Sequence, residues 1–322
     1  MNIAVVGLGS MGKRRIRLIK EMFPVYSIYG IDGRDDRRIE ASEQYSIPCY
    51  SRIDDCKSSI DCVFVCSSPL SHNTIIQDAL NKGYNVFTEI NLVSDGYDEN
   101  IKLAKENGLK LFLSSTFLYR EEIRYIREKI SGECSWNYIY HIGQYLPDWH
   151  PWESYKDFFL GEKRTNGCRE IMAIELPWIT KVFGDIAEVC SAGSKITGLN
   201  IDYNDNYMIR LTHENGNKGC LIVDVVSPVA VRKLEIYSEG KYISWNGTPD
   251  SLNEYDPMTK RLESVVLSEK AEHVEGYRSF VVENAYRNEI HAFFDTIMND
   301  AEPLYDFEQD KKILSLIDSI GA

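Results

Sequence analysis

The sequence lacks the features that would suit a membrane or a nucleic-acid partner. No stretch of about 18 apolar residues occurs among its 322 residues, so the sequence predicts no transmembrane helix. Acidic residues outnumber basic ones by 49 to 36, which leaves a formal charge of -13. Because nucleic-acid phosphates are bound by clustered Lys and Arg, this balance argues against a nucleic-acid partner.

Paired cysteine motifs are also absent. Eight cysteines are scattered along the chain, with no CxxC and no His/Cys cluster at zinc spacing. Cys62 and Cys66 flank the apolar residues 63–65, which points them into a core. We therefore expect reduced structural thiols, no metal site and a cytoplasmic location. Because the first residues already form a predicted strand, we expect no signal peptide.

What the sequence does contain is a glycine-rich turn near its start. Gly7, Gly9 and Gly12 have the spacing GxGxxG and follow the first apolar run. Gly7 permits the tight turn, Gly9 lets the backbone approach a pyrophosphate, and Gly12 lets the next helix pack closely on its strand. At the N-terminus of that helix, Ser10 and Met11 would present backbone N–H groups to the phosphates.

A second apolar run, residues 26–31, ends in Asp32, twenty residues after Gly12. An acidic side chain at this place would accept hydrogen bonds from both hydroxyls of an adenosine ribose. Asp32 repels the 2′-phosphate of NADP, whereas Arg34 could bind it. The sequence therefore favours NAD and leaves NADP open.

The first 118 residues alternate short apolar runs with amphipathic stretches, a pattern typical of βαβ units. The predicted strands are 2–6, 26–31, 62–66, 84–88 and 110–114, and the predicted helices lie near 12–22, 35–45, 73–82 and 95–107. Residues 1–118 are thus predicted to form a Rossmann domain of the α/β class. Its doubly wound parallel sheet should bind its ligand beyond the carboxyl ends of the strands.

Residues 119–322 have a different texture and are predicted to form an α+β domain with a mainly antiparallel sheet. The predicted strands are 134–143, 186–196, 206–213, 218–227, 231–238 and 241–246. Predicted helices cover 121–130 and lie near 168–183, 280–298 and 306–320. Such a sheet has one face that needs cover, which predicts a homodimer or homotetramer formed through it.

Four segments in order resemble the Gfo/Idh/MocA family of sugar oxidoreductases. They are the glycine turn 7–12, residues 65–72, residues 79–89, and residues 288–297 followed by Pro303. The resemblance covers essentially the whole chain. It implies a nicotinamide cofactor on the N-terminal domain and a polyol or sugar facing the C-terminal sheet.

Within these segments, Ser67, Ser68 and Pro69 follow the third predicted strand, where a backbone turn can contact ribose and phosphate. The resemblance puts His72 near the cofactor, although a capping or packing role is equally open. Glu89 matches the first residue of the family's Glu-Lys-Pro motif and is expected at the cofactor site.

The chain departs from the family pattern where protons are handled. Ile90 and Asn91 replace the lysine and proline of that motif, and the lysine is the family's general acid/base. Isoleucine has no proton to transfer. In the register set by Gly167, Ile171 and Glu175 replace an Asp and a His that contact substrate in the family. The chemistry therefore needs a non-standard proton-handling residue.

Glu175, His150 and Tyr119 are the candidates for this role. Glu175 is preferred to Glu170 because it takes the position of the family's histidine, and burial of a carboxylate can raise its pKa. His150 is a plausible base. Tyr119 could act as a hydroxyl donor near the cofactor.

Other residues are candidates for substrate binding. Trp149 and Trp152 flank His150 in the aromatic segment 144–155 and could stack on a sugar or on nicotinamide; a rigid loop filling a gap between domains is the alternative. Arg120 and Arg169 could bind an anionic substrate group, although each has a simple structural interpretation as well.

The sequence thus predicts an NAD(P)-dependent oxidoreductase that transfers a hydride at a secondary alcohol or ketone of a sugar or sugar derivative. By family analogy, a carbohydrate from nucleotide-sugar or surface-polysaccharide metabolism is the substrate class to test first. The alternative is a regulatory or binding protein that keeps the cofactor but has lost turnover. A tightly bound, recycled cofactor is a third interpretation.

Overall fold

A computed structural model describes residues 1–130, 132, 135–149, 153–267, 272 and 281–322. The chain forms two compact units, each discontinuous in sequence. The first comprises Met1–Ser115 and Tyr286–Lys311, and the second comprises Thr116–Ala285 and Lys312–Ala322. The sequence prediction drew a single boundary after residue 118, whereas the structure assigns residues 286–311 to the first unit.

The first unit contains a six-stranded parallel sheet with the strand order β3-β2-β1-β4-β5-β6. Its strands are β1 (Asn2–Val6), β2 (Ser27–Ile31), β3 (Cys49–Tyr50), β4 (Cys62–Val65), β5 (Asn85–Thr88) and β6 (Leu111–Leu113). The intervening helices are α1 (Ser10–Met22), α2 (Asp35–Tyr45), α3 (His72–Asn81) and α4 (Tyr97–Glu106). The strand order reverses direction beside β1, so the carboxyl ends of β1 and β4 border the crevice in which such sheets bind ligands.

The second unit contains an eight-stranded sheet with the order β14-β13-β12-β11-β7-β10-β9-β8. All neighbouring strands are antiparallel except β7 and β10. Its elements are α5 (Glu121–Ile130), β7 (Asn137–Gly143), α6 (Gly167–Phe183), β8 (Ile186–Ser194), β9 (Asn206–His213), β10 (Lys218–Asp224), β11 (Val231–Ser238), β12 (Lys241–Trp245), β13 (Asn253–Asp256) and β14 (Arg261–Ser264).

The chain ends with α7 (Glu283–Asn299) and α8 (Phe307–Ile320). Helix α7 explains why residues 286–311 belong to the first unit. Phe64, Phe87 and Phe112 lie on adjacent strands with ring centroids 4.7 and 5.4 Å apart, and Phe293 of α7 meets all three edge-on at 5.2–5.6 Å. This buried aromatic cluster makes α7 part of the first hydrophobic core.

The predicted α/β architecture, a Rossmann sheet followed by a mainly antiparallel sheet, is confirmed. Three strands were not predicted: β3 has only two residues, and β13 and β14 carry mostly polar side chains without apolar alternation. In the part of the chain that the structure describes, no helix has the length and apolarity needed to cross a bilayer. The same residues bring together no group of three potential metal ligands.

Candidate functional site

The glycine turn joins β1 to α1 and is built for close backbone contact. Gly7 has a φ of +93°, a conformation that favours glycine, and a Cβ there would lie 2.7 Å from the backbone of Cys66 and Ser67. A Cβ on Gly12 would overlap the carbonyl oxygen of Gly7. The backbone therefore requires glycine at both positions.

Gly9 leaves open the space in front of α1. Its nearest neighbour is the Arg37 guanidinium, 3.7 Å from where a Cβ would stand. Gly9 is also the N-cap of α1, and no side chain caps that helix. The backbone N–H groups at Ser10 and Met11 therefore begin a helix whose N-terminus suits an anionic phosphate.

Asp32, directly after β2, is held in place by backbone donors. Its carboxylate accepts hydrogen bonds from the N–H of Leu8 at 2.8 Å and of Arg34 at 2.9 Å. The Arg34 guanidinium instead binds Asp36 and is 61% exposed. Arg37 lies 3.7 Å from the Asp32 carboxylate, so Arg37 rather than Arg34 is the arginine that lies over the turn.

The turn Ser67–Pro69 follows β4 and touches the glycine turn through Gly7. Behind it lies His72, the first residue of α3, which is only 2% exposed. Its Nε2 lies 2.9 Å from the Ser67 carbonyl oxygen and its Nδ1 lies 2.6 Å from the Asn91 side-chain oxygen. The structure therefore puts His72 under the cofactor turn and not on its surface.

Glu89, at the end of β5, belongs to a buried cluster of charges. Arg15 donates to both oxygens of Glu89, at 2.7 and 3.2 Å, and to Glu289 at 2.6 Å. Glu289 also accepts hydrogen bonds from the hydroxyl of Ser114 and the N–H of Ser115. Burial raises the pKa of Glu289.

Sequence reasoning missed this cluster because Arg15 and Glu289 are 274 residues apart. One clue was present in the sequence. Arg15 shares the buried stripe of α1 with Leu18 and Ile19, three and four residues later. A cation on an apolar stripe needs a carboxylate partner.

These residues fit a dinucleotide on geometric grounds. The turn at Gly9 is open, the start of α1 has no side-chain cap, and Asp32 is fixed where a ribose would lie. Residues 1–115 match the family model described as an oxidoreductase family with an NAD-binding Rossmann fold. This part of the chain matches the Gfo/Idh/MocA oxidoreductase family. It is an NAD-binding domain, as predicted from the glycine turn.

Solved structures share the fold of this chain beyond the matched domain. The UDP-N-acetylglucosamine 3-dehydrogenase of Acidithiobacillus ferrooxidans shares its fold, with a TM-score of 0.76, 16% identity, and 99% and 96% of the two chains covered. Biliverdin reductase of Synechocystis, crystallised with biliverdin and NADP+, has a TM-score of 0.78, 15% identity and coverage of 99% and 98%.

A sequence relative is human biliverdin reductase A, which is 27% identical over 139 residues. That match covers 41% of this chain and 45% of the human protein, so the chain spans less than half the length of this relative.

In the second unit, Glu175 of α6 is completely buried. Its carboxylate accepts hydrogen bonds from the Tyr140 hydroxyl at 2.8 Å and the Trp178 indole at 2.7 Å. Arg232 forms an ion pair with it at 2.6 Å. Burial, and then the charge of Glu175, raise the pKa of Tyr140. This arrangement anchors α6 on the sheet; the predicted role of Glu175 in proton transfer stays a prediction.

Glu170 has a different environment on the same helix. From Gly167 to Ile179, only Glu170 and Ile174 retain appreciable exposure, and they lie one helical turn apart. Glu170 keeps this partial exposure through other atoms, because its Oε2 is buried and has no hydrogen-bond partner within the described ranges. Desolvation raises the pKa of Glu170 to about 8. Sequence reasoning ranked this residue below Glu175 because Glu175 takes the position of the family's histidine; the surroundings of Glu170, which other elements supply, cannot be read from local sequence.

The predicted substrate-binding arginines both have protein partners. Arg120 binds Glu122 and donates to the Gly247 carbonyl at 2.9 Å. Arg169 donates to Asp318 and to the carbonyl oxygen of Ala322, each at 2.7 Å. Both are buried, so these contacts already account for their positions.

The remaining candidates are only partly described. Tyr119 is half-buried and lines a shallow pocket with Arg120, Pro249 and Val282. The Trp149 ring lies 3.3 Å from where a Cβ on Gly167 would stand, so it packs against the start of α6. His150 and Trp152 lie outside the described residues.

Proposed function

We propose that the protein is an NAD(P)-dependent oxidoreductase that acts on a sugar or sugar derivative. The proposal rests on one observation in the NAD-binding domain. The open glycine turn lies against the fixed Asp32 carboxylate, which accepts a hydrogen bond from the N–H of Leu8. The Gly7–Gly12 turn and the α1 N-terminus would hold the pyrophosphate, and Asp32 the adenosine ribose. Nicotinamide, when bound, supplies or accepts the hydride.

Support for a sugar substrate comes from a solved structure with the same fold. A UDP-N-acetylglucosamine 3-dehydrogenase shares this fold over almost the whole length of both chains. At 16% identity this likeness concerns the fold, so the substrate class rests on analogy. A nucleotide sugar with a secondary hydroxyl or a ketone is the first class to test.

The chain's own residues must then handle one proton, because Ile90 has none to give. We propose Glu170 for this role, alongside Glu175, His150 and Tyr119. With a pKa of about 8, Glu170 is protonated at neutral pH and can donate to a ketone oxygen during reduction. Above about pH 8 the Glu170 carboxylate is ionised and can accept the proton of an alcohol during oxidation.

The decisive experiment is a spectrophotometric assay at 340 nm. The pure protein is mixed with NAD+ or NADP+ and a panel of UDP-sugars, and with NADH or NADPH and the matching keto-sugars. Glu170→Gln should lower kcat by at least about tenfold without changing the Kd for NADH. If this variant keeps full activity, the proton is handled elsewhere, and Glu175→Gln, His150→Ala and Tyr119→Phe identify the residue.

A second candidate substrate is a linear tetrapyrrole. It is favoured by the 27% identity to human biliverdin reductase A, and the same assay with biliverdin and NADPH tests it. Turnover of biliverdin without turnover of any sugar would replace the first proposal. Tight NADH binding without turnover on either class would support a regulatory, non-catalytic protein.

We further propose that two or four copies associate through the second unit's sheet. Three exposed side chains lie on one face of this sheet: Met208, which is 63% exposed, Ile139 and Cys220. Cys220 of β10 is the pairing partner of Ile139 on the neighbouring strand β7. Light scattering should give a dimer or tetramer that Met208→Glu dissociates. The control Val25→Glu, at an exposed site in the first unit, should leave the mass unchanged. We keep the cytoplasm as the proposed location.

A further inference from the structure

Asn91 stands where the family pattern has proline, and its side chain is 3% exposed. It meets His72, which is 2% exposed, with 2.6 Å between its amide and the ring Nδ1. A proline side chain could make no hydrogen bond at this place. The contact is therefore specific to the departure from the family pattern.

The protons of His72 can be assigned from its partners. The Ser67 carbonyl oxygen is an acceptor only, so Nε2 carries the hydrogen and donates to it across 2.9 Å. Burial lowers the pKa of His72, which keeps the ring neutral and makes Nδ1 an acceptor. In the structure the Asn91 Oδ1 faces Nδ1 at 2.6 Å, while the buried Nδ2 has no hydrogen-bond partner among the described residues. Exchanging the O and N of this amide gives Nδ1 a donor and pairs Nδ2, with the Thr88 hydroxyl, 3.3 Å away, as a weaker donor.

The Asn91–His72 pair joins two turns at the carboxyl edge of the sheet. Ser67 opens the turn after β4, and Asn91 closes the segment Glu89–Asn91 after β5. In a doubly wound sheet, the β1–β2 half with Asp32 holds the adenosine, and the half that begins with β4 faces the nicotinamide nucleotide. The Asn91–His72 pair, which bridges the turns after β4 and β5, therefore lies under the nicotinamide half of the cofactor site.

We propose that Asn91 and His72 are positioning residues that hold the turns after β4 and β5 together as one platform for the nicotinamide half of the cofactor. The inference rests on the cofactor-binding part of the proposed function and not on the substrate. In this chain the motif that would have supplied a lysine supplies a structural tie instead.

The test compares two ligands. The Kd of NADH, which contains nicotinamide, is measured beside that of ADP-ribose, which lacks it, by calorimetry without substrate. Asn91→Ala should weaken NADH binding roughly tenfold, as expected for loss of one buried hydrogen bond, and change ADP-ribose binding less than about twofold. A purely structural defect would weaken both ligands alike.

Asn100→Ala is the matched control. Asn100 is fully buried and lines the same small pocket as His72 and Asn91, but its amide bonds Asn73 on α3 rather than either turn. It should lower stability without changing the ratio of the two Kd values. An Asn100→Ala variant that weakens NADH as selectively as Asn91→Ala would overturn the proposal.

A double-mutant cycle with His72→Ala and Asn91→Ala measures whether the two side chains act together on NADH binding. If His72 and Asn91 act as one bridge, the double variant should bind NADH about as weakly as either single variant. Additive losses would overturn the bridge. Should His72→Ala fail to fold, the comparison of Asn91→Ala with Asn100→Ala on both ligands decides alone. Wild-type protein that binds ADP-ribose but not NADH would refute the nicotinamide platform while leaving the adenosine site intact.

Discussion

The glycine turn of the first unit depends on backbone conformation, whereas the chemistry of helix α6 in the second unit depends on what surrounds its side chains. At the glycine turn the backbone does the binding, so Gly7 and Gly12 are required by conformation and space. On α6, two carboxylates five residues apart differ through their surroundings: Glu175 has three partners, and Glu170 has an unpaired oxygen and a raised pKa. Backbone recognition leaves a motif in the sequence, whereas tuned side-chain chemistry does not.

Gly12→Ala tests the backbone side of this comparison and should have the largest effect. The added methyl group would overlap the Gly7 carbonyl and push α1 away from β1. We expect NADH binding, measured by calorimetry, to weaken at least about a hundredfold, or roughly 2.7 kcal/mol. Gly198→Ala, where a Cβ meets open space, is the control and should bind normally. Equal affinity in both variants would contradict a backbone-defined site.

Replacing the two carboxylates of α6 tests the other side. Glu175→Ala deprives the Arg232 cation of this buried counter-ion and should lower the free energy of unfolding by about 3–5 kcal/mol in urea titrations. Glu170→Ala removes a carboxylate with an unpaired oxygen and should cost far less. The comparison fails if the two variants are equally destabilised.

The pH dependence of stability sharpens the same contrast. The pKa of Glu170 is raised from 4.5 to about 8, so between these values the folded state holds the extra proton. Its contribution to stability therefore falls as pH rises from 4.5 to 8. We compare the free energy of unfolding of Glu170→Gln with that of wild type at two pH values. From pH 4 to pH 8.5 this difference should shift in favour of Glu170→Gln by roughly 2–4 kcal/mol. Unfolding midpoints measured at both pH values check this, and a constant difference between the two proteins would rule it out.

The smallest effect is expected from the arginines beside Asp32. Arg34 is exposed and pairs with Asp36, whereas Arg37 lies near Gly9 and the Asp32 carboxylate. Arg34→Ala should change the Kd of NADH less than about twofold, and Arg37→Ala about threefold, because both are solvent-exposed. Fluorescence titration resolves this difference. If Arg34→Ala instead weakens NADPH much more than NADH, the sequence-based assignment of Arg34 to the 2′-phosphate is restored.

The sequence predicts local backbone motifs well and the surroundings of buried side chains poorly. The βαβ alternation, the turn at Gly7–Gly12 and Asp32 are local patterns, and the structure has the elements close to where they were predicted. Folding brings together the elements that supply the partners of Arg15, the contact between His72 and Asn91, and the partial burial of Glu170. No local periodicity carries that information. The polar hairpin β13–β14 was missed for a related reason, since its pairing rather than its apolar pattern defines it.

The return of α7 to the first unit has a consequence for synthesis on the ribosome. The Rossmann sheet is finished by residue 113, yet Phe293 covers its aromatic strands and Glu289 neutralises Arg15. Both residues emerge only after the whole second sheet has been translated. The cofactor domain must therefore wait, with an apolar surface and a half-paired cation, until nearly the last residues arrive. A nascent chain halted before residue 286 should be the form most in need of a chaperone.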